Sequence, residues 1–300
     1  MPSLDKAHPL HAFTVDVEDY FQVSAFEQCV SREQWDSFPC RVEANTNNIL
    51  KILAEHQVQA TFFILGWIAE RYPQLVREIV HAGHEVGSHG YGHRLIYTQT
   101  PAEFRADLRQ SVAILESIIG RRVTAYRAPS FSITQKSRWA LEILIEEGFS
   151  MDSSVVPIYH DLYGIPGAQA GLHRLETPAG SIWEFPPAVY GFFGKKLVLP
   201  VGGGGYFRIY PFQFTRWCWR RLEKRQQSLL FYIHPWEVDP NQPRLQASFK
   251  SRFRHYNNLH RTLGKLDRLL TAFRFGPIRA VLAERQPNGS PAEMAIIPAK

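Results

Sequence analysis

Residues 84–94 read His-Glu-Val-Gly-Ser-His-Gly-Tyr-Gly-His-Arg, a short apolar run over 86–88 followed by a turn studded with glycine. His89 and His93 stand four positions apart, with Gly87, Gly90 and Gly92 between and around them. Glycine enters tight turns at no steric cost. Two imidazoles projecting from one turn behind a buried strand are placed to share a divalent ion. Two ligands rarely complete a sphere, so this reading needs a third ligand, a base and an acid from elsewhere in the chain.

On either side of that stretch, strand-like and helix-like segments alternate. Residues 11–17 (HAFTVDV) are β-branched and apolar enough for a first strand and lead into Asp16, Glu18 and Asp19. Val42, Thr46, Ile49 and Leu53 recur at helical spacing. Residues 58–65 read as a second buried strand, and residues 67–81 as one helix stopped by Gly83. Pro101 opens another helix, with Phe104, Leu108, Ser111, Leu115 and Ile119 on one face and Gly120 closing it. A fourth strand over 122–126 runs into Arg127-Ala-Pro-Ser-Phe131. Thr134 then caps a helix to Glu147, and residues 149–153 form a fifth strand. The alternation implies βαβ units and parallel strands, the α/β class.

Between about 156 and 210 the chain is rich in Gly, Pro and aromatics, and SIWEFP and KKLVLPV read as hairpin strands. The run Gly202 to Gly205 lacks the Lys-Ser/Thr that follows a phosphate-cradling loop. It is expected to form a flexible groove wall, with Tyr206 and Phe207 beside it. A helix over 212–225 and a strand over 229–233 restore the earlier rhythm. Polar loops to about Asn257 and helices over 259–271 and 277–284 follow.

The 300 residues are 45% hydrophobic and 21% charged, the balance of an ordinary globular domain. A formal net charge of +6 invites a nucleic-acid reading. The basic residues are scattered, however, apart from Arg216, Arg220, Arg221, Lys224 and Arg225, which suit one solvated helix face. No nucleic-acid partner is expected. Cys29, Cys40 and Cys218 show no CxxC spacing and read as free thiols in a reducing compartment. The N-terminus carries acids and histidines where a secretory leader needs an apolar core, and no apolar run reaches about 18 residues. The cytoplasm is therefore the expected location, the periplasm the alternative, and no membrane span is expected.

In parallel α/β folds, reactive groups gather at the carboxyl ends of strands. Asp16 and Glu18 follow the first strand, His89 and His93 the third, and Arg127 the fourth. Asp152 lies at the fifth, and His234 follows Leu-Leu-Phe-Tyr-Ile. Two histidines with one carboxylate are a common catalytic metal sphere. Zn²⁺ is the expected ion, with Co²⁺ and Ni²⁺ as alternatives. Such an ion lowers the pKa of a coordinated water from 15.7 toward about 7. A second carboxylate can take the water's proton, Arg127 would hold that carboxylate ionised, and His234 is the natural acid. The set fits metal-assisted hydrolysis of an amide or ester. Asp152 either orients His234 or caps a turn. Trp183, Tyr190, Phe192 and Phe193 are either sugar-stacking faces or core.

FTVDVED, SHGYGH, RAPSF, MDSS and FYIHP, in that order, resemble the five motifs of the polysaccharide deacetylases (carbohydrate esterase family 4) over about residues 11–240. VDVEDYFQV, EFPPA, GGGGYFRIYP, RFRHYNNLHRT and FRFGPIRAVL further resemble the exosortase-associated deacetylases of bacterial exopolysaccharide loci. The resemblance implies a distorted (β/α)7 barrel over residues 1–240, a C-terminal helical extension over 241–285 packed on it, and a flexible tail over 286–300. It implies metal-dependent removal of N-acetyl groups from a hexosamine-containing polysaccharide. Asp16 would be the base, Arg127 its partner, His89 and His93 ligands, and His234 the acid. The backbone N–H of Ser130 or Phe131 would be the oxyanion donor. Phe131, Asp152 and Tyr206 are the expected substrate contacts.

The first motif departs from the commoner pattern of two adjacent aspartates followed by Gly, because Val17 follows Asp16 and acids return at Glu18 and Asp19. A branch including peptidoglycan deacetylases and allantoinase-like enzymes places the ligand two residues after the base. Period-two alternation would also set Asp16 and Glu18 on one side of the strand, favouring Glu18 over Asp19. The expected partner is an N-acetylated glycan, with a homo-oligomer also compatible. A hydrolase of small cyclic amides on the same frame and a glycan binder without turnover are the competing readings.

Overall fold

The computed structural model describes residues 8–160, 163–193 and 197–285; the expected tail over 286–300 lies outside them. The chain opens with β1 (His11–Val17), α1 (Val42–Glu55), β2 (Thr61–Ile64), α2 (Gly66–Arg71), α3 (Pro73–His81) and β3 (Glu85–Ser88). It continues with α4 (Pro101–Ile119), β4 (Ala125–Tyr126), α5 (Trp139–Glu146) and β5 (Met151–Asp152). Two hairpins follow, β6 (His173–Thr177) with β7 (Gly180–Glu184) and β8 (Val189–Phe192) with β9 (Leu197–Pro200). Then come α6 (Gly204–Ile209), α7 (Phe212–Glu223), β10 (Leu230–Ile233) and α8 (Phe249–Tyr256). The last elements are α9 (Thr262–Ala272), β11 (Phe275–Gly276) and α10 (Ile278–Arg285).

Nine strands make one sheet in the order β10-β1-β2-β3-β4-β5-β7-β6, with β11 also on β1. Every pairing in it is parallel except that of the β6–β7 hairpin. All seven residues of β1 are buried, as a parallel strand covered on both faces requires. The segment leaving β7 links the two ends of the sheet. The Phe185 N–H bonds the Asp152 carbonyl at 2.9 Å, and three residues later the Ala188 N–H bonds the Leu230 carbonyl at 3.0 Å. The strand ends of β1, β3, β4, β5 and β10 thereby surround one mouth.

Local chemistry accounts for most boundaries. Thr100 and Glu103 form a capping box on α4, Pro101 takes its first turn, and Gly120 leaves it at φ 67°. The single helix expected over 67–81 is two helices. Pro73 cannot donate a hydrogen bond and disfavours helical geometry at Tyr72, which sits at φ −125°, ψ 56°.

The glycine run differs from expectation more sharply. Gly203 lies against β10, where a Cβ would come 1.9 Å from the Tyr232 carbonyl oxygen. Gly204 begins α6 rather than a flexible wall. Phe207 is buried in the core, and Tyr206 is half-buried beside Tyr210, ring centroids 5.9 Å apart. The polar loops expected before 257 contain α8. Its only buried residue is His255, so no apolar period marks it in the sequence. β11 escaped notice because two residues cannot show a period, yet it joins the stretch over 241–285 to the main sheet through β1. Tyr190 and Phe192 pack on α7, Tyr190 5.3 Å from Trp217 and Phe192 6.3 Å from Phe214. The cysteines are free thiols.

Candidate metal and hydrolytic site

The turn after β3 is held from three sides. Asp107 on α4 takes the Tyr91 N–H at 2.7 Å and the Gly92 N–H at 3.1 Å. The carbonyls of Gly90 and Tyr91 receive the Gly66 and Trp67 N–H groups that open α2. Arg32 donates to the carbonyls of Gly92 and His93. Gly90 has φ 74°, and a Cβ there would stand 2.9 Å from Asp107. His93 itself has φ 49°, a strained conformation that the surrounding bonds impose. The turn therefore presents both imidazoles inward.

Glu18, His89 and His93 each offer a ligand atom, all within 4.8 Å of one another, and all three residues are buried. His89 hydrogen-bonds the Arg127 carbonyl through Nδ1 at 2.8 Å. That bond protonates Nδ1 and leaves the Nε2 lone pair facing Glu18, 3.9 Å from Oε2. Burial pushes the His89 pKa down to about 4, so the ring stays neutral. His93 Nε2 lies 2.6 Å from Glu18 Oε2, yet that oxygen is buried without an aligned hydrogen bond. Burial resists ionisation of Glu18, but His93, His234 and His89 overcome it and hold the carboxyl well below the usual carboxylate range. A fully buried, ionised oxygen without a donor, between two imidazoles, is the environment a divalent cation completes.

Asp19 is engaged elsewhere. Its carboxylate receives the Arg41 and Val42 N–H groups at 2.5 and 2.8 Å, at the start of α1, and the Cys40 thiol at 3.0 Å. Glu18 reaches the histidines because the chain bends after Asp16, with the Glu18 N–H on the Asp16 carbonyl at 3.0 Å. The bend, rather than strand alternation, brings the two acids together.

Arg127 is fully buried and donates to Asp16 Oδ1 at 2.5 Å, to Thr14 Oγ1 at 2.8 Å, and to the Ser153 hydroxyl and carbonyl at 2.8 and 3.2 Å. Its guanidinium lies 4.3 Å over the Phe63 ring. Asp16 Oδ2 faces His234 Nε2 at 3.8 Å, and Glu18 Oε1 faces the same nitrogen at 3.7 Å. His234 Nδ1 bonds Glu237 Oε1 at 2.8 Å, and Glu237 is itself held by Arg208 at 2.6 Å. Burial works against the imidazolium, but Glu18 and Glu237, with Asp16, prevail and raise the His234 pKa to about 9. Trp236 stacks on His234 at 5.1 Å and donates its indole N–H to Glu18 Oε1 at 3.1 Å.

Asp152 does not orient His234; that position belongs to Glu237. Asp152 is fully buried, accepts from Ser154 Oγ at 2.5 Å and presents no surface to a substrate. Tyr206 sits on α6 against Tyr210. Phe131 packs 4.8 Å from Tyr232 near the Arg127 guanidinium. The Phe131 N–H is spent on the Ala128 carbonyl at 3.0 Å, so of the two expected oxyanion donors the Ser130 amide, inside that turn, is the one left. Glu237, Arg208, Trp236, Asp107 and Arg32 were not foreseen. Only Glu237 left a legible signal, three residues after His234 in a turn opened by Pro235.

The polysaccharide deacetylase family model matches residues 34–144. Residues 34–144 thus carry a polysaccharide deacetylase domain. That match spans His89, His93 and Arg127, while a domain of unknown function (DUF3473) matches 153–283 and spans His234. A Helicobacter pylori peptidoglycan deacetylase is 31% identical over 114 residues, 38% of this chain and 38% of its own length. A Bacillus cereus peptidoglycan-N-acetylglucosamine deacetylase is 35% identical over 98 residues, 32% of this chain and 36% of its own. The chain thus matches little more than a third of those two relatives. Among solved structures, a candidate polysaccharide deacetylase from Mycobacterium smegmatis superposes with TM-score 0.62 at 19% identity, covering 100% of this chain and 96% of that one. Puue Allantoinase gives 0.63 at 13%, covering 94% and 92%. At those identities the likeness is one of fold, an α/β frame with a parallel sheet.

Proposed function

We propose that this deacetylase-family chain is a metal-dependent hydrolase that removes N-acetyl groups from a hexosamine-containing polysaccharide during bacterial exopolysaccharide synthesis. The observation carrying the proposal is the convergence of Glu18, His89 and His93 within 4.8 Å, with Asp16 and His234 beside them at 3.8 Å from each other. Its curated relatives include deacetylases of peptidoglycan and, in Sinorhizobium fredii, of chitooligosaccharide, the last 50% identical over 48 residues, 16% of this chain and 22% of its own length.

Glu18, His89 and His93 would hold the ion, Zn²⁺ by donor type, with Co²⁺ and Ni²⁺ suited to the same donors. When bound, it supplies Lewis acidity that makes a water acidic near neutral pH. Asp16, kept in place by Arg127, takes a proton from the attacking water. His234 enters the reaction as imidazolium, its Nδ1–H held by Glu237, and gives its Nε2 proton to the departing amine. The Ser130 N–H is the backbone donor for the developing oxyanion.

Acetate release from N-acetylglucosamine oligomers tests this reading. Turnover should vanish on chelation and return with Zn²⁺, and Asp16→Asn should slow it about 10²–10⁴-fold. Undiminished turnover by metal-free protein, or hydrolysis of allantoin without release of acetate, would overturn it. Glycan affinity with no turnover at any metal loading would favour a binding protein instead.

A further inference from the structure

A recess of about 540 Å³, lined by none of the residues that converge on Glu18, lies between the C-terminal end of α6 and α9. Its lining includes Lys265, Arg261 and Arg268 and no carboxylate, over an apolar floor to which Ile209 and Phe212 contribute. That volume falls within the range of small-molecule sites, about 300–1,000 Å³. Lys265 is fixed rather than mobile. Its ammonium donates to the carbonyls of Phe207, Arg208 and Tyr210 at 3.1, 2.8 and 2.8 Å, using all three of its protons. The Arg268 guanidinium is laid 4.3 Å over the Phe212 ring. Among the described residues neither Arg261 nor Arg268 forms an ion pair. By contrast, Arg41, Arg105, Arg127 and Arg208 each hold a carboxylate.

A fixed positive charge beside two guanidiniums that hold no carboxylate, Arg261 donating only to His260 Nε2 at 3.2 Å and Arg268 lying over Phe212, is a geometry for an oxyanion carried on a body with an apolar face. Burial and the charges of Arg261, Arg208 and Arg268 pull the Lys265 pKa down, the mark of positive charge crowded without compensation. We propose that this recess is a second binding site that takes a phosphate or carboxylate group borne on a sugar. The recess is tied to the hydrolytic site through a shared element: α6 supplies two of the three carbonyls that fix Lys265 and the Arg208 side chain that braces Glu237.

The test uses the full chain, titrated by calorimetry with glucose 6-phosphate, with a glucuronic acid disaccharide, and with a neutral disaccharide of the same size. One charged probe or both should bind, and the neutral one should not. Arg261→Ala with Arg268→Ala should weaken that binding at least tenfold. Both residues are exposed, so the fold should survive. Arg216→Ala with Arg225→Ala, on the exposed face of α7 and just beyond it, should leave binding unchanged. Binding of the phosphate alone would identify a phosphorylated sugar as the ligand, and binding of the uronate alone an acidic glycan. The site is refuted if neither charged probe binds, if the Arg261/Arg268 variant binds like the wild type, or if the Arg216/Arg225 variant loses as much, since that would report a diffuse basic surface.

Discussion

Two pairs of acids sit at strand ends around the same mouth, and they live in opposite electrostatic circumstances. Asp16, after β1, faces the Arg127 guanidinium, and Glu18 faces the imidazoles of His93 and His234, the latter with its pKa raised to about 9. Asp152 and Glu184 are register partners on β5 and β7, equally buried, and their neighbours are Ser154 and the Val155 N–H. Burial, and then the charge of Asp152, pushes the Glu184 carboxyl well above its ordinary range. The nearest guanidinium, that of Arg127, is already committed to Asp16. Burial is common to both pairs; the charges nearby decide whether a carboxyl is held low, as at Glu18, or pushed high, as at Glu184.

Removing the cation from the first pair should produce the largest change. Arg127→Met leaves the buried Asp16 without its hydrogen-bonded guanidinium, with only His234 at 3.8 Å facing it, and breaking such a pair costs about 3–5 kcal/mol. The urea midpoint of unfolding measures it, and a variant as stable as wild type would show that the pair contributes nothing net. Trp236→Phe removes the indole donor to Glu18 without emptying the stack between His234 and His255. Loss of a hydrogen bond behind a ligand typically weakens metal affinity about 10–100-fold. Competition with a Zn²⁺ chelator reads this directly, and an unchanged affinity would mean Glu18 needs no such support.

Glu237→Gln makes His234 resemble an acid without its partner. The His234 pKa, about 9 in the metal-free chain, should fall, visible in the pH titration of its ring proton resonances. In the wild type the raised value implies stabilisation that is complete below the unfolded pKa of about 6.5 and is lost as pH climbs through about 9. The variant should lose part of that dependence, because Glu18 and Asp16 still face the ring. The smallest change is expected at Glu184→Gln. A raised folded pKa means that wild-type stability falls as pH rises above the ordinary Glu value, because the native state retains a proton that the unfolded chain releases. The amide removes this slope, so the variant should gain on the wild type between pH 5 and 8 in denaturant melts. A parallel pair of curves would show that the two carboxyls do not share a proton.

The glycine-spaced histidine turn, the acids after β1, Arg127 and the histidine after β10 were all legible, because each lies at a strand end and strands announce themselves by apolar runs. What stayed hidden are the residues that act on others at a distance in sequence. Asp107 grips the histidine turn from 15 and 16 residues away, and Arg32 does so from 60 and 61. No local pattern marks such bonds. Of the two roles open to Asp152, orienting His234 and capping a turn, the structure excludes the first and fits the second, with the Ser154 hydroxyl on the carboxyl; an acid at a strand end looks the same in sequence whether or not a cation reaches it. The run at 202–205 was misread as freedom of movement, when close approach to the backbone of Ala188 and Leu230 at Gly202 and to Tyr232 at Gly203 and Gly204 is what requires glycine there.

The linear order of residues determined the α/β alternation, the imidazole pair and the residue types needed for hydrolysis, since periodicity and spacing are local properties of the chain. Only the tertiary structure decided that Glu18 rather than Asp19 faces the histidines, that Glu237 rather than Asp152 holds His234, and that Ser130 rather than Phe131 keeps a free amide. Each of those choices turns on a bend, a hydrogen bond already spent, or a charge within a few ångströms, and such contacts exist only once distant segments have packed together.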